Sequence, residues 1–122
     1  MRPLELWGGH ECSLLRTHDT YTDQTVLQGH EHRLGDLHLF AELGVKALRY
    51  PVLWERVSPG APNERDFRWS DDRLREIKRL GIRPVVGLIH HGSGPRHTNL
   101  LDDRFAPGLA NHAARSPSAT PG

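Results

Sequence analysis

The sequence predicts an α/β fold, an incomplete (β/α)8 TIM barrel contributing its first three β-strands and two helices. Three observations carry this. The tetrapeptide Leu43-Gly44-Val45-Lys46 recurs as Leu80-Gly81-Ile82-Arg83, and each copy joins a helix end to a strand start. Ile82 to Ile89 is an apolar run, as expected of a parallel strand covered on both faces. Long loops follow the strands while the helix-to-strand joints are tight, which suits a barrel whose working loops follow the strands. A doubly wound sheet is the competitor, but no glycine-rich phosphate loop follows the first strand.

Taken in order, Leu4 to Trp7 is a short strand closed by Gly8-Gly9. His10 to Thr25 has no clear period and reads as a long loop. From His30 to Leu43, Leu34, Leu37, Phe40, Ala41 and Leu43 fall at helical spacing. Gly44 stops that helix, and Val45 to Tyr50 forms the central strand. Pro51 to Trp69 is loop. Ser70 offers an N-cap hydroxyl, with Asp71 and Asp72 in the first turn and Leu74, Ile77 and Leu80 as the buried stripe. Residues 1–110 are therefore read as the barrel part. Residues 111–122 (NHAARSPSATPG) lack an apolar period and are expected to be a disordered tail.

Composition narrows the function. The 122 residues carry a net charge of +1 with scattered basic residues, so nothing argues for nucleic acid or a membrane as partner. The single cysteine, Cys12, allows no internal disulfide, and no signal-peptide or membrane-length run is present; a cytoplasmic protein is the default expectation. No cofactor motif is found.

Three strand ends would face one side: Gly8 to Glu11, Arg49 to Glu55, and His90 to His97. They gather His10, Glu11, Arg49, Trp54, Glu55, His90 and His91. Carboxylates transfer protons and aromatic faces stack on sugar rings, so this set suits a carbohydrate. The plainer readings are a solvated Glu11, a packed Trp54, and a surface ion pair between Glu55 and Arg56. A buried Arg49 would need an acidic partner. Histidines invite a metal, but His30 and His32 open a helix at the wrong end of the unit to meet His90, and no metal is expected.

These residues resemble the family 1 glycoside hydrolases, the β-glucosidase-type barrels. The family block R-F-S-I-S-W-S-R-I-x-P is matched by Arg49-Tyr50-Pro51-Val52-Leu53-Trp54-Glu55-Arg56-Val57-Ser58-Pro59, which keeps both arginines, the tryptophan and the final proline. Leu43-Gly44-Val45-Lys46-Ala47-Leu48-Arg49 is similar to the family's LGVKAYR. Val86 to His91 is similar to its V-T-L-Y-H-W, and Leu6-Trp7-Gly8 to its LWG. The resemblance implies that Arg49 matches the arginine bonded to the catalytic nucleophile and His90 the histidine that binds a sugar hydroxyl. Leu15 stands where the family has a sugar-binding glutamine, and His91 where it has a tryptophan.

A retaining glycosidase needs two carboxyl groups about 5 Å apart. The family blocks that supply them, T-x-N-E-P and E-N-G, do not occur in the sequence. The expectation is the N-terminal part of a glycosidase, inactive alone and of marginal stability. It would have no catalytic residues of its own, and Arg49, His90, Glu11 and Trp54 would lie on the substrate side. The alternatives are a carbohydrate- or protein-binding module that self-associates through exposed sheet edges, and a metal hydrolase using Glu11 with His10, His90 and His91. The resemblance also extends to a branch sometimes fused to a dTDP-4-dehydrorhamnose reductase-like domain.

Overall fold

Gly44 and Gly81 turn the chain from helix into strand with φ of +85° and +76°, a left-handed conformation that costs glycine little. Their amides close the preceding helices on Ala41 and Lys78 carbonyls, each at 3.0 Å. The repeated tetrapeptide thus marks two equivalent corners. The computed structural model, which describes residues 2–91 and 94–117, builds the rest of the architecture on them.

Strand β1 (Leu6–Gly9) is followed by an antiparallel hairpin, β2 (Leu14–Thr17) and β3 (Thr20–Asp23). The single turn α1 (Gln24–Leu27), a 3-10 turn at His30–His32 and helix α2 (Asp36–Glu42) lead to the central strand β4 (Val45–Pro51). A second single turn, α3 (Trp54–Val57), precedes helix α4 (Arg68–Arg79), strand β5 (Arg83–Gly87) and helix α5 (Phe105–Arg115). Strands β1, β4 and β5 form one parallel sheet in that order, with Gly9, Arg49 and Val85 in register.

The sheet has one covered face. Leu48 and Tyr50 are fully buried against Leu37 of α2 and Leu74 and Ile77 of α4. Each such side chain contributes about 1.5–3 kcal/mol by leaving water. The opposite face is open, with Trp7 62% and Val85 41% exposed. Parallel strands with helices packed on one face only are the arrangement of a partial (β/α) barrel, the open face being the barrel's interior.

Several expectations are corrected. The loop expected over residues 10–25 holds the β2–β3 hairpin and α1. The helix expected from His30 begins only at Asp36, and Leu43 is 71% exposed. Strand β5 is not covered on both faces, because Arg83 and Val85 alternate with buried Pro84. Ser70 does not cap α4: the helix starts at Arg68, whose amide donates to Asp66 Oδ1 at 3.0 Å, and Ser70 is buried inside it. Residues 111–115, expected as tail, are the last turn of α5, and residues 118–122 lie outside the described residues. No helix among the described residues is long and apolar enough to cross a membrane.

Candidate functional site

The carboxyl ends of β1, β4 and β5 lie side by side, so the residues just beyond them share one end of the open sheet face. Glu11, two residues past β1, meets His90, three residues past β5: Glu11 Oε1 and His90 Nε2 are 3.4 Å apart. The Ser13 hydroxyl donates to the same carboxylate oxygen at 2.7 Å. That hydrogen bond holds the Glu11 carboxyl below its usual range; burial opposes the shift, and the Ser13 amide, His90 and His91 add smaller contributions in its favour. The His91 ring lies 4.4 Å from that of His90, and Glu11, His90 and His91 each bring one ligand atom within 4.8 Å of the others. Residue His91 has φ of +59°, unfavourable for a side chain with a Cβ.

Arg49 reaches the same end from the middle strand, but it is exposed rather than buried. Its guanidinium lies over Gly9, where an added Cβ would sit 3.4 Å from Nε and Nη2. No ion pair to it forms among the described residues, so the acidic partner expected for a buried arginine is not needed.

Two expected members turn away. Trp54 is 4% exposed and packs against Phe105 at 5.4 Å and His112 at 6.4 Å, which makes it core rather than a sugar platform. His10 sits 4.3 Å from the His30 ring and stacks on Tyr50. Burial, with His30 beside it, holds the His10 imidazole down at about 4. His30 is also committed elsewhere, with Nδ1 on Asp36 and Nε2 on Tyr50. Leu15, at the position of the resembled glutamine, lies on β2 and is 38% exposed.

Glu55 is the residue that sequence reasoning misplaced. Instead of pairing with Arg56 at the surface it is 4% exposed, and neither carboxylate oxygen has a hydrogen-bond partner among the described residues. Burial pushes its carboxyl up to about 7. It lines a cavity of about 260 Å³ with Tyr21, Asp23, Arg56 and Arg96. Arg56 pairs with Asp23 and, at 2.9 Å, with Glu31. The available signal was the apolar setting of Glu55, between Leu53-Trp54 and Val57, on a turn too short to have a solvent face.

An open parallel sheet with functional groups beyond its strand ends is the layout of a (β/α) barrel. Among known proteins, the chain is similar to β-glucosidase-type enzymes. The chain is 38% identical over 60 residues to a 6-phospho-β-glucosidase of Clostridium longisporum, an alignment covering 46% of this chain and 13% of that protein. It is 37% identical over 82 residues to the aryl-phospho-β-D-glucosidase BglA of Bacillus subtilis, covering 59% of this chain and 17% of that one. Its fold superposes on the AHE enzyme of Alicyclobacillus herbarius with a TM-score of 0.62 and 25% identity, over 70% of this chain and 20% of that chain. Solved glycoside hydrolases are among its other structural neighbours. No established family pattern matches the chain. The chain is thus related to glycosidases of the β-glucosidase type and spans less than a fifth of the length of the two relatives named.

Proposed function

We propose that the chain forms the sugar-binding part of a glycosidase-type site for β-glucosides, and that alone it binds without hydrolysing. The observation that supports this is the meeting of Glu11 and His90 at 3.4 Å at the sheet end that also carries Arg49. Arginine and imidazole N–H groups donate to sugar hydroxyls, and the Glu11 carboxylate accepts from them. The two blocks that carry a retaining enzyme's carboxylates are absent from the sequence. Hydrolysis therefore requires groups from outside these 122 residues.

The test is an NMR titration of the chain with cellobiose, run beside an assay of p-nitrophenyl β-D-glucoside hydrolysis. Saturable amide shifts at Glu11, Arg49 and His90, lost in Arg49→Ala and His90→Ala, with no turnover, are expected. Shifts that survive both variants would sink the proposal.

A second reading rests on the open sheet. Strands β1 and β5 are its edges, and Trp7 and Val85 expose apolar surface on its uncovered side. Edges of this kind template pairing with another strand. A second copy of the chain, seated edge to edge, would satisfy them. A sedimentation coefficient that rises with concentration is expected, and a concentration-independent monomer would count against self-association.

A further inference from the structure

We propose that Glu11, His90 and His91 form a three-ligand site for a divalent transition metal of the zinc type. Two imidazoles and one carboxylate suit zinc or cobalt, whereas calcium and magnesium prefer all-oxygen sets. The distances agree. Zinc ligands at about 2.0–2.1 Å in tetrahedral array are separated by roughly 3.4 Å. Glu11 Oε1 and His90 Nε2 already lie 3.4 Å apart, and the His91 donor completes a set within 4.8 Å.

An independent observation is the backbone at His91. Consecutive side chains of an extended segment point to opposite sides. The left-handed φ of +59° at His91 instead leaves its ring 4.4 Å from the His90 ring. Strain of this kind persists where the surroundings require the geometry. The Ser13 hydroxyl on Glu11 Oε1, at 2.7 Å, gives the carboxylate the supporting hydrogen bond that metal ligands commonly have. Glu11 is half exposed, which leaves the ion's fourth position open to solvent. The inference does not depend on the carbohydrate reading: a bound ion would occupy Glu11 Oε1 and His90 Nε2, so metal and direct sugar contact at these two atoms exclude each other.

The test uses the 122-residue chain without any sugar. Zinc binding is measured by calorimetry, cobalt substitution by its visible absorption, and melting temperature with and without zinc. One equivalent of zinc is expected, with tetrahedral cobalt bands and a zinc-induced rise in melting temperature. His90→Ala and Glu11→Gln should each weaken binding by at least about tenfold. His91→Gly separates binding from folding, because glycine accepts the left-handed backbone. The metal-free variant should melt higher than the native chain, yet lose the zinc-induced rise. His38→Ala, in the exposed His38–Glu42 pair, is the control and should bind as the native chain does. Zinc binding that persists unchanged in His91→Gly, or a native chain with no zinc response, would overturn the proposal.

Discussion

Tyr50 Oη lies 2.6 Å from His30 Nε2, and His30 Nδ1 lies 2.9 Å from Asp36 Oδ2, so one buried imidazole joins the central strand to the start of α2. The carboxylate can only accept, which assigns the proton to Nδ1 and makes the tyrosine hydroxyl the donor to Nε2. Both ring nitrogens are thereby satisfied at a residue only 1% exposed. Tyr50→Phe would leave Nε2 buried and unpaired, at a cost of about 1–3 kcal/mol. Removing both polar partners, in Tyr50→Phe with His30→Phe, should cost less than the sum of the single changes. Urea midpoints of the two single variants and the double would show this, and strict additivity would deny the coupling.

Two buried groups, His10 and Glu55, should push the pH dependence of stability in opposite directions. His10 is held down at about 4 by burial and by His30. Between about pH 6.5 and 4 the unfolded chain therefore takes up a proton that the folded chain refuses, and stability falls as pH falls. Glu55 is pushed up to about 7 by burial. Its folded form keeps a proton that the unfolded form loses near its ordinary value of 4.5, so stability falls as pH rises through that window. The two trends oppose each other where they overlap. Glu55→Gln should unmask a loss of stability on acidification, and His10→Asn a loss towards pH 7. Urea midpoints measured across this range check both signs, and parallel profiles for the native chain and Glu55→Gln would contradict the assignment.

The two helix-to-strand corners make a third prediction. No neighbouring atom lies within 4 Å of a Cβ built on Gly44 or Gly81, so alanine would clash with nothing and would carry only the cost of a positive φ. Each substitution should destabilise by about 1–2 kcal/mol. With no shared neighbour, the double variant should match the sum within about 0.5 kcal/mol. Thermal melts of the three variants decide it, and a neutral Gly44→Ala would mean that the corner is not left-handed.

These corners were legible because a repeated tetrapeptide carried both the glycine and the switch from helical to strand spacing. The hairpin was not. Its turn is His18-Asp19, both at positive φ (49° and 62°), in place of the asparagine and glycine that usually announce such a turn. Nor was the true start of α4, because the group that receives its first amide is Asp66, two residues before the helix and four before the serine that looks like a cap. At the site, Glu11 and His90 could be placed at one end of the sheet from strand order alone. The fates of Trp54 and Glu55 depended on which side of their segment α5 and the hairpin cover, and that of His10 on its packing against His30 and Tyr50. Local sequence does not carry that information.

Helix α5 lies outside the two helices expected from the sequence, and it holds Pro107 and Gly108 near its start. Pro107 is the third residue of the helix, where an amide has no partner within the helix to lose. Gly108 is needed for contact: a Cβ there would meet Trp54 at 2.7 and 2.8 Å, so the helix seats directly on the indole. His112, one turn further on, stacks on Trp54 and donates from Nε2 to the Val52 carbonyl at 2.8 Å. This gives Gly108→Ala a decisive sign. In an exposed helix the change would stabilise by about 1 kcal/mol through propensity. On this surface, overpacking against a buried ring costs about 1–3 kcal/mol. The variant should therefore lose stability, and Gly108→Val should lose more, in proportion to the added volume. A stabilised Gly108→Ala in urea denaturation would show that residues 105–115 stand free of the core.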